Sequence, residues 1–140
     1  MEKRLTMIFA ALFLVMGCSS GLVYKTAPAE KLAPAKTVRL TGEVRPWGLY
    51  FTAITQFDEN SARLIVLSEI GLKLLDLHVT PQETEVYYKF DKLPAAAAGA
   101  FGRFARETLL TPCPQKNLSF TDPRTRARFE ASVQGAKICL

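Results

Sequence analysis

Histidine is almost absent from this chain: His78 is the only one among 140 residues. Cysteine is scarce too, at positions 18, 113 and 139, with no CxxC spacing. Imidazole–thiolate metal centres need several such ligands close in sequence or space, so no metal site is expected. There is no GxSxG elbow to expose a nucleophile, and no glycine-rich loop between a strand and a helix to cradle phosphates. Gly99 and Gly102 fall inside a helix-like stretch instead. Lys/Arg runs interleaved with aromatics are missing, and a net charge of +5 is too small an excess to argue for nucleic acid. No apolar run approaches the roughly 18 residues that a membrane-spanning helix needs.

What remains for catalysis is thin. Asp76 and His78 alternate onto one face of a predicted strand and could pair, with Ser68 or Ser119 as a conceivable nucleophile. A His beside an Asp on a polar strand face is ordinarily a solvated surface pair, and Glu83 and Glu85 flank a turn in the same ordinary way. The expectation is a protein that is not an enzyme.

The N-terminus carries the strongest signal. Lys3 and Arg4 give a basic start, an apolar run follows from Met7 to Met16, and small Gly17 precedes Cys18. Basic region, short apolar region and small residue together read as a secretory signal peptide over residues 1–17. The stretch Val15-Met16-Gly17-Cys18 resembles the bacterial lipobox. That resemblance implies cleavage before Cys18, covalent diacylglycerol on its sulfur and an N-acyl chain on the new terminus, with no other cofactor. Several acyl chains anchor stably where one, at about 0.8 kcal/mol per buried CH₂, does not. Ser19 after the cysteine, in place of Asp, fits the enteric sorting rule for the outer membrane. The expected location is therefore its periplasmic face, held by the lipid anchor.

Loss of residues 1–17 removes two cations and one anion, so the net charge falls from +5 to +4. With Cys18 taken by lipid, Cys113 and Cys139 remain as an even pair. In an oxidising compartment the expectation is a disulfide closing a loop of about 27 residues, worth roughly 3 to 4 kcal/mol in the chain-entropy model. Two free thiols are the alternative. Residues 18–36, with Ser19, Ser20, Gly21, Pro28 and Pro34 and no apolar periodicity, read as a lipidated N-terminus and flexible tether.

From Thr37 the pattern turns to period two, and residues 37–140 read as one domain. Val38, Leu40, Gly42 and Val44 mark a first strand, and Leu49, Phe51, Ala53, Thr55 and Phe57 a second. The turn cluster Asp58-Glu59-Asn60-Ser61 leads to a third strand, Ala62 to Ser68, whose two faces are both apolar. Leu72 to Val79 and Thr84 to Phe90 follow, the latter with Val86, Tyr88 and Phe90 in phase. The spacing of Phe101, Phe104, Ala105, Thr108 and Leu109 predicts a helix over 95–110, which Gly99 and Gly102 weaken by about 1 kcal/mol each. Two strands, Leu118 to Thr121 and Arg126 to Val133, close the chain. Hairpins followed by one helix imply an α+β domain on an antiparallel sheet.

The stretch from Leu64 to Leu77, LIVLSEIGLKLLDL, with Val86-Tyr87-Tyr88 and a helix after it, resembles the LolA/LolB-like outer-membrane lipoproteins, the LolB-like group in particular. The resemblance spans roughly residues 37–110. It implies a strongly curved antiparallel sheet, an incomplete β-barrel covered by one main helix, with a cavity that accepts acyl chains in members that carry lipoproteins. No residue role transfers, because no single motif is tight. On that fold Trp47, Phe51, Phe101 and Phe104 are the candidate cavity lining, with core packing as the alternative for each.

Two functions follow. One is an anchored lipoprotein that binds an acyl chain, a lipoprotein cargo or a hydrophobic partner segment. The other is a structural or assembly accessory that docks on a larger envelope complex and has no ligand cavity. For the second, Arg124, Arg126 and Arg128, spaced by two, offer a stripe for lipid head groups or an acidic partner, or protect an edge strand by charge. The anchor has a direct check: Cys18→Ser should leave a precursor about 17 residues longer that takes up no labelled fatty acid. A Cys18→Ser protein of mature mass would remove the lipobox assignment.

Overall fold

The structure, a computed structural model, describes residues 21–26, 37–111 and 115–135. All three cysteines lie outside these residues, so the lipid site Cys18 and the Cys113–Cys139 pairing are not part of what it describes. Its architecture is α+β: an open, mixed sheet of eight strands and, among the described residues, one helix. The strands are β1 (Gly21–Tyr24), β2 (Thr37–Arg45), β3 (Leu49–Phe57), β4 (Ala62–Ser68), β5 (Lys73–Val79), β6 (Glu83–Lys89), β7 (Asn117–Thr121) and β8 (Arg128–Gly135). Helix α1 (Ala97–Thr108) falls between β6 and β7. The strand order is β1-β6-β5-β4-β3-β2-β8-β7.

Local chemistry sets each reversal. Asp58 N–H bonds the Ser61 carbonyl at 2.9 Å, and the Asp58 carboxylate receives Glu59 N–H, closing the β3–β4 hairpin. At the β4–β5 turn Gly71 adopts a φ of 83°, a conformation costly for any residue with a Cβ. The Ser68 hydroxyl accepts Leu72 N–H in the same turn. The Thr80 hydroxyl accepts both Gln82 and Glu83 N–H, fixing the next one.

The period-two pattern becomes one buried face. Leu40 and Val44 of β2, Phe51 and Ala53 of β3, Leu64 and Val66 of β4, and Leu75, Leu77 and Val79 of β5 are all buried. Val86, Leu118, Phe129 and Ala131 continue it on β6, β7 and β8. Thr55 is the polar member of this face, and its hydroxyl has no hydrogen-bond partner among the described residues. The pairing of β2 with β8, from Val38↔Gly135 to Arg45↔Arg128, joins the N-terminal meander to the end of the chain.

Three expectations need correction. Gly21–Tyr24, read as tether, forms β1, whose register Leu22↔Thr84 to Tyr24↔Val86 runs parallel to β6. The sheet is therefore mixed at that edge and not wholly antiparallel. Four residues carry too short a pattern to register as periodic, and the pairing is made by backbone, which sequence does not advertise. Second, Tyr88 does not share the inward face of Val86. Leu77 pairs Val86 while Asp76 pairs Tyr88, so Tyr87 is an extra residue and the phase reverses at this bulge. Third, the last strand begins at Arg128, not Arg126, because residues 122–127 are tied into a turn.

α1 is shorter than the predicted 95–110 but unbroken. Its buried residues include Phe101, Phe104 and Ala105, as the spacing indicates. Gly102 is explained by proximity: a Cβ there would overlap the hydroxyl and methyl of Thr84 on β6. A Cβ on Gly99 would meet only the far end of the Arg103 side chain, at 3.2 Å. Gly102→Ala should thus cost about 1 to 3 kcal/mol in a urea melt. Gly99→Ala should be neutral or stabilise by up to about 1 kcal/mol. Equal effects of the two would contradict this packing of helix on strand.

Candidate functional site

The structure brings three of the four candidate cavity residues into a single ring cluster. Phe101 stands edge-on to Phe51 at 5.1 Å between centroids and edge-on to Phe129 at 5.0 Å. Phe104 stacks on Phe129 at 4.8 Å, with Phe120 beside both. Phe101 and Phe104 are fully buried and Phe51 is 3% exposed. Trp47 sits at the margin, partly buried and edge-on to Phe129 at 6.5 Å. Edge-to-face rings at these separations add roughly 0.5 to 1.5 kcal/mol per pair beyond area burial. The four side chains touch each other or Phe129 across the space between α1 and the sheet.

The opposite face of the sheet carries a polar network. Asp76, 1% exposed, receives two hydrogen bonds from the Arg63 guanidinium, at 3.0 and 2.9 Å, and lies 3.2 Å from Lys73 Nζ. His78 is on the same face, as alternation requires, but engages Glu85 through Nδ1 at 3.0 Å. Glu85 also accepts from Lys25 Nζ at 2.7 Å and from the Tyr87 hydroxyl at 3.1 Å. Lys25 follows β1, so this carboxylate helps hold the edge strand. The Lys25 hydrogen bond is the main force lowering the Glu85 pKa; burial opposes it, His78 and Tyr87 assist, and the value settles at about 2. Arg63 and Lys73 each lie 5.3 Å from the ring of Tyr87 and Tyr88 respectively.

Neither serine joins this network. Ser68 is occupied in the β4–β5 turn, and Ser119 donates to Glu130 on the β7–β8 pair. Neither Ser68 nor Ser119 is therefore assembled with His78 as a nucleophile with its base. Among the described residues no group of three or more His, Cys, Asp or Glu side chains has the arrangement to hold a metal.

The arginine stripe is dispersed. Arg128 is on β8 and pairs with Glu130 at 2.9 Å. Arg126 takes a φ of 60° in the turn before it, and Arg124 belongs to the same turn. Arg124 lines a groove, where it meets two arginines that the sequence pattern did not single out, Arg103 and Arg106 of α1. Arg103 binds Asp122 through Nε and Nη2, at 2.5 and 2.9 Å. Asp122 also accepts Thr125 hydroxyl and N–H at 2.6 and 3.1 Å. Arg106 bonds the Thr80 carbonyl and the Thr84 hydroxyl, at 2.9 and 3.0 Å. The signal for these residues was present, since Arg103 and Arg106 are three apart on the polar side of an apolar helix. Their partners, 19 to 26 residues away, were not.

No family model, no curated protein and no solved structure matches this chain.

Asp122 supplies a test of that geometry. Burial pushes its carboxyl up, but the Arg103 guanidinium and the Thr125 hydroxyl and amide outweigh it and hold the pKa at about 2, below its ordinary 3.8. A depressed pKa contributes stability that is present above the unfolded value and is lost as pH falls through the folded one. Denaturation midpoints should therefore drop between about pH 4 and pH 2, by about 2 kcal/mol from this group. Asp122→Asn should remove that part of the acid limb and cost about 3 to 5 kcal/mol near neutrality, because it leaves Arg103 unpaired. An unchanged acid limb would show that Asp122 does not hold the turn.

Proposed function

We propose that this chain is a lipid-anchored, non-enzymatic envelope protein, fixed through Cys18 to the periplasmic face of the outer membrane, and that it acts as a docking or assembly module of a larger envelope complex. The observation that carries this choice over an acyl-chain carrier is the ring cluster. Phe101 and Phe104 close on Phe129, and Phe51 on Phe101, with centroids 4.8 to 5.1 Å apart. A half-barrel that swallowed an acyl chain would have these rings parted around it. Breaking such packing without refilling it costs several kcal/mol.

The surface supports contact with a partner. Strands β1 and β7 are the two ends of the sheet, and an unpaired edge is a template for another chain. Large apolar side chains stand out beside the edge and at a hairpin tip, namely Tyr24 on β1 and Ile70 and Leu72 of the β4–β5 turn. The polar groups argue against catalysis in the same way: His78, Asp76 and Glu85 spend their hydrogen bonds on partners within the sheet.

Native mass spectrometry of the protein extracted from its membrane tests the choice. The docking reading expects the mass of the chain plus its covalent lipid, and no saturable response to the fluorescent fatty acid cis-parinaric acid. A further fatty acid bound at one per chain, displaced by cis-parinaric acid, would reinstate the carrier.

A further inference from the structure

A groove of about 520 Å³ opens where the first turns of α1 meet the β5–β6 turn and the β7–β8 turn. Three of its lining residues are Arg103, Arg106 and Arg124, and among the described residues no Asp or Glu lines it. The charges are unequally satisfied. Arg103 is matched by Asp122. Arg106 is held only by neutral oxygens, the Thr80 carbonyl and the Thr84 hydroxyl, and it has no ion pair among the described residues. Arg124 is exposed and has no hydrogen bond or ion pair among the described residues. Among the described residues the groove therefore carries about two uncompensated positive charges.

Its construction fits an oxyanion. Arg103 and Arg106 each use Nε and Nη2 internally, which fixes the planes of both guanidiniums and leaves Nη1 without a partner among the described residues. The missing side chain of Gly99 keeps the space beside Arg103 Nη1 open. Fixed guanidinium forks match phosphate oxygens better than an ammonium does, with less entropy lost per hydrogen bond. The first turn of α1 contains no acidic residue and has no side-chain cap, so its positive end adds to the same field. Burial and then repulsion by Arg103 depress the Arg106 pKa, with Glu107 opposing them. Leu22, Ala95 and Ala96 give the groove an apolar wall, against which an organic substituent can lie.

We propose that this groove binds a phosphate monoester, whose dianion matches Arg106 and Arg124 while Arg103 positions one oxygen and the apolar wall receives the ester group. A monoester carries about −1.5 to −2 charges at neutral pH, the complement of the two open cations. The inference goes beyond the docking reading and does not depend on the lipid anchor. The phosphate reaches the groove either on a soluble compound or on a lipid head group, and the two sources differ in the probe they favour.

The mature chain, freed of its membrane in mild detergent, should be titrated with inorganic phosphate and with hexyl phosphate in low salt. Saturable binding is expected, tighter for hexyl phosphate than for phosphate alone. Arg124→Gln, which breaks no internal contact, should weaken both about tenfold with an unchanged melting temperature. Arg106→Gln should weaken them at least as much. Arg128→Gln is the control, since Arg128 lies outside the groove and changes net charge equally. Sedimentation with vesicles of phosphatidylcholine, with and without phosphatidic acid, separates the sources. Retention on phosphatidic acid beyond that on phosphatidylcholine alone, lost with hexyl phosphate in excess and in Arg124→Gln, assigns the head group; no extra retention assigns the soluble ester; extra retention that survives both would place the lipid outside the groove and overturn the proposal. No saturable binding of either phosphate, or equal weakening by Arg128→Gln and Arg124→Gln, would overturn the proposal.

Discussion

Phe129 is the contact on which the rest of the domain turns. Its ring meets Phe101 and Phe104 of the helix, Phe120 of the neighbouring strand and Trp47 of the β2–β3 turn. Because β8 pairs β2 along its length, this residue ties the last strand, the meander and the helix into one core. The rings dictate where the helix sits, and the position of the helix dictates what else must be small. Gly102 has to approach Thr84 without a side chain, and Thr84 in turn holds Arg106.

Charge is arranged around that apolar centre in two separate systems. On the far face of the sheet, Asp76 and Glu85 gather Arg63, Lys73, Lys25 and His78, linking β1, β4, β5 and β6 through side chains as well as backbone. Hydrogen-bonded carboxylates in such a setting stabilise only while every partner stays in place, which makes the network structural in character. Beside the helix, Arg103 and Asp122 pin the β7–β8 turn to α1, and there the accounting does not close. Among the described residues Arg106 and Arg124 remain as cations without anions. On the proposed docking reading, recognition falls to this surface and not to a buried cavity.

Much of this was legible from residue order. Alternation located seven of the eight strands, because one face of each is apolar and the other is not; Ala62–Ser68 came out with its ends in place. The helical stripe of Phe101, Phe104 and Ala105 was equally plain. What escaped has physical causes. β1 is held by backbone pairing and by Lys25–Glu85, which no local pattern encodes. The bulge at Tyr87 reverses a phase that sequence can only extrapolate. The arginines at 124, 126 and 128 look like one strand face, yet Asp122 and Thr125 bend the chain with side-chain hydrogen bonds and put Arg126 at a left-handed φ. Asp76 and His78 were placed on the right face, but their partners come from other strands. Long-range polar pairs are the part of a site that periodicity cannot reveal.

The central claim is that the aromatic side chains fill the space between helix and sheet and do not line a vacant one. Equilibrium unfolding of Phe129→Ala in urea tests it most directly. A packed cluster loses about 3 to 5 kcal/mol when this ring is deleted, because the surrounding rings cannot collapse into the void. A loss below about 1 kcal/mol, with native secondary structure retained, would mean that the rings border an open cavity, and would contradict the filled interior.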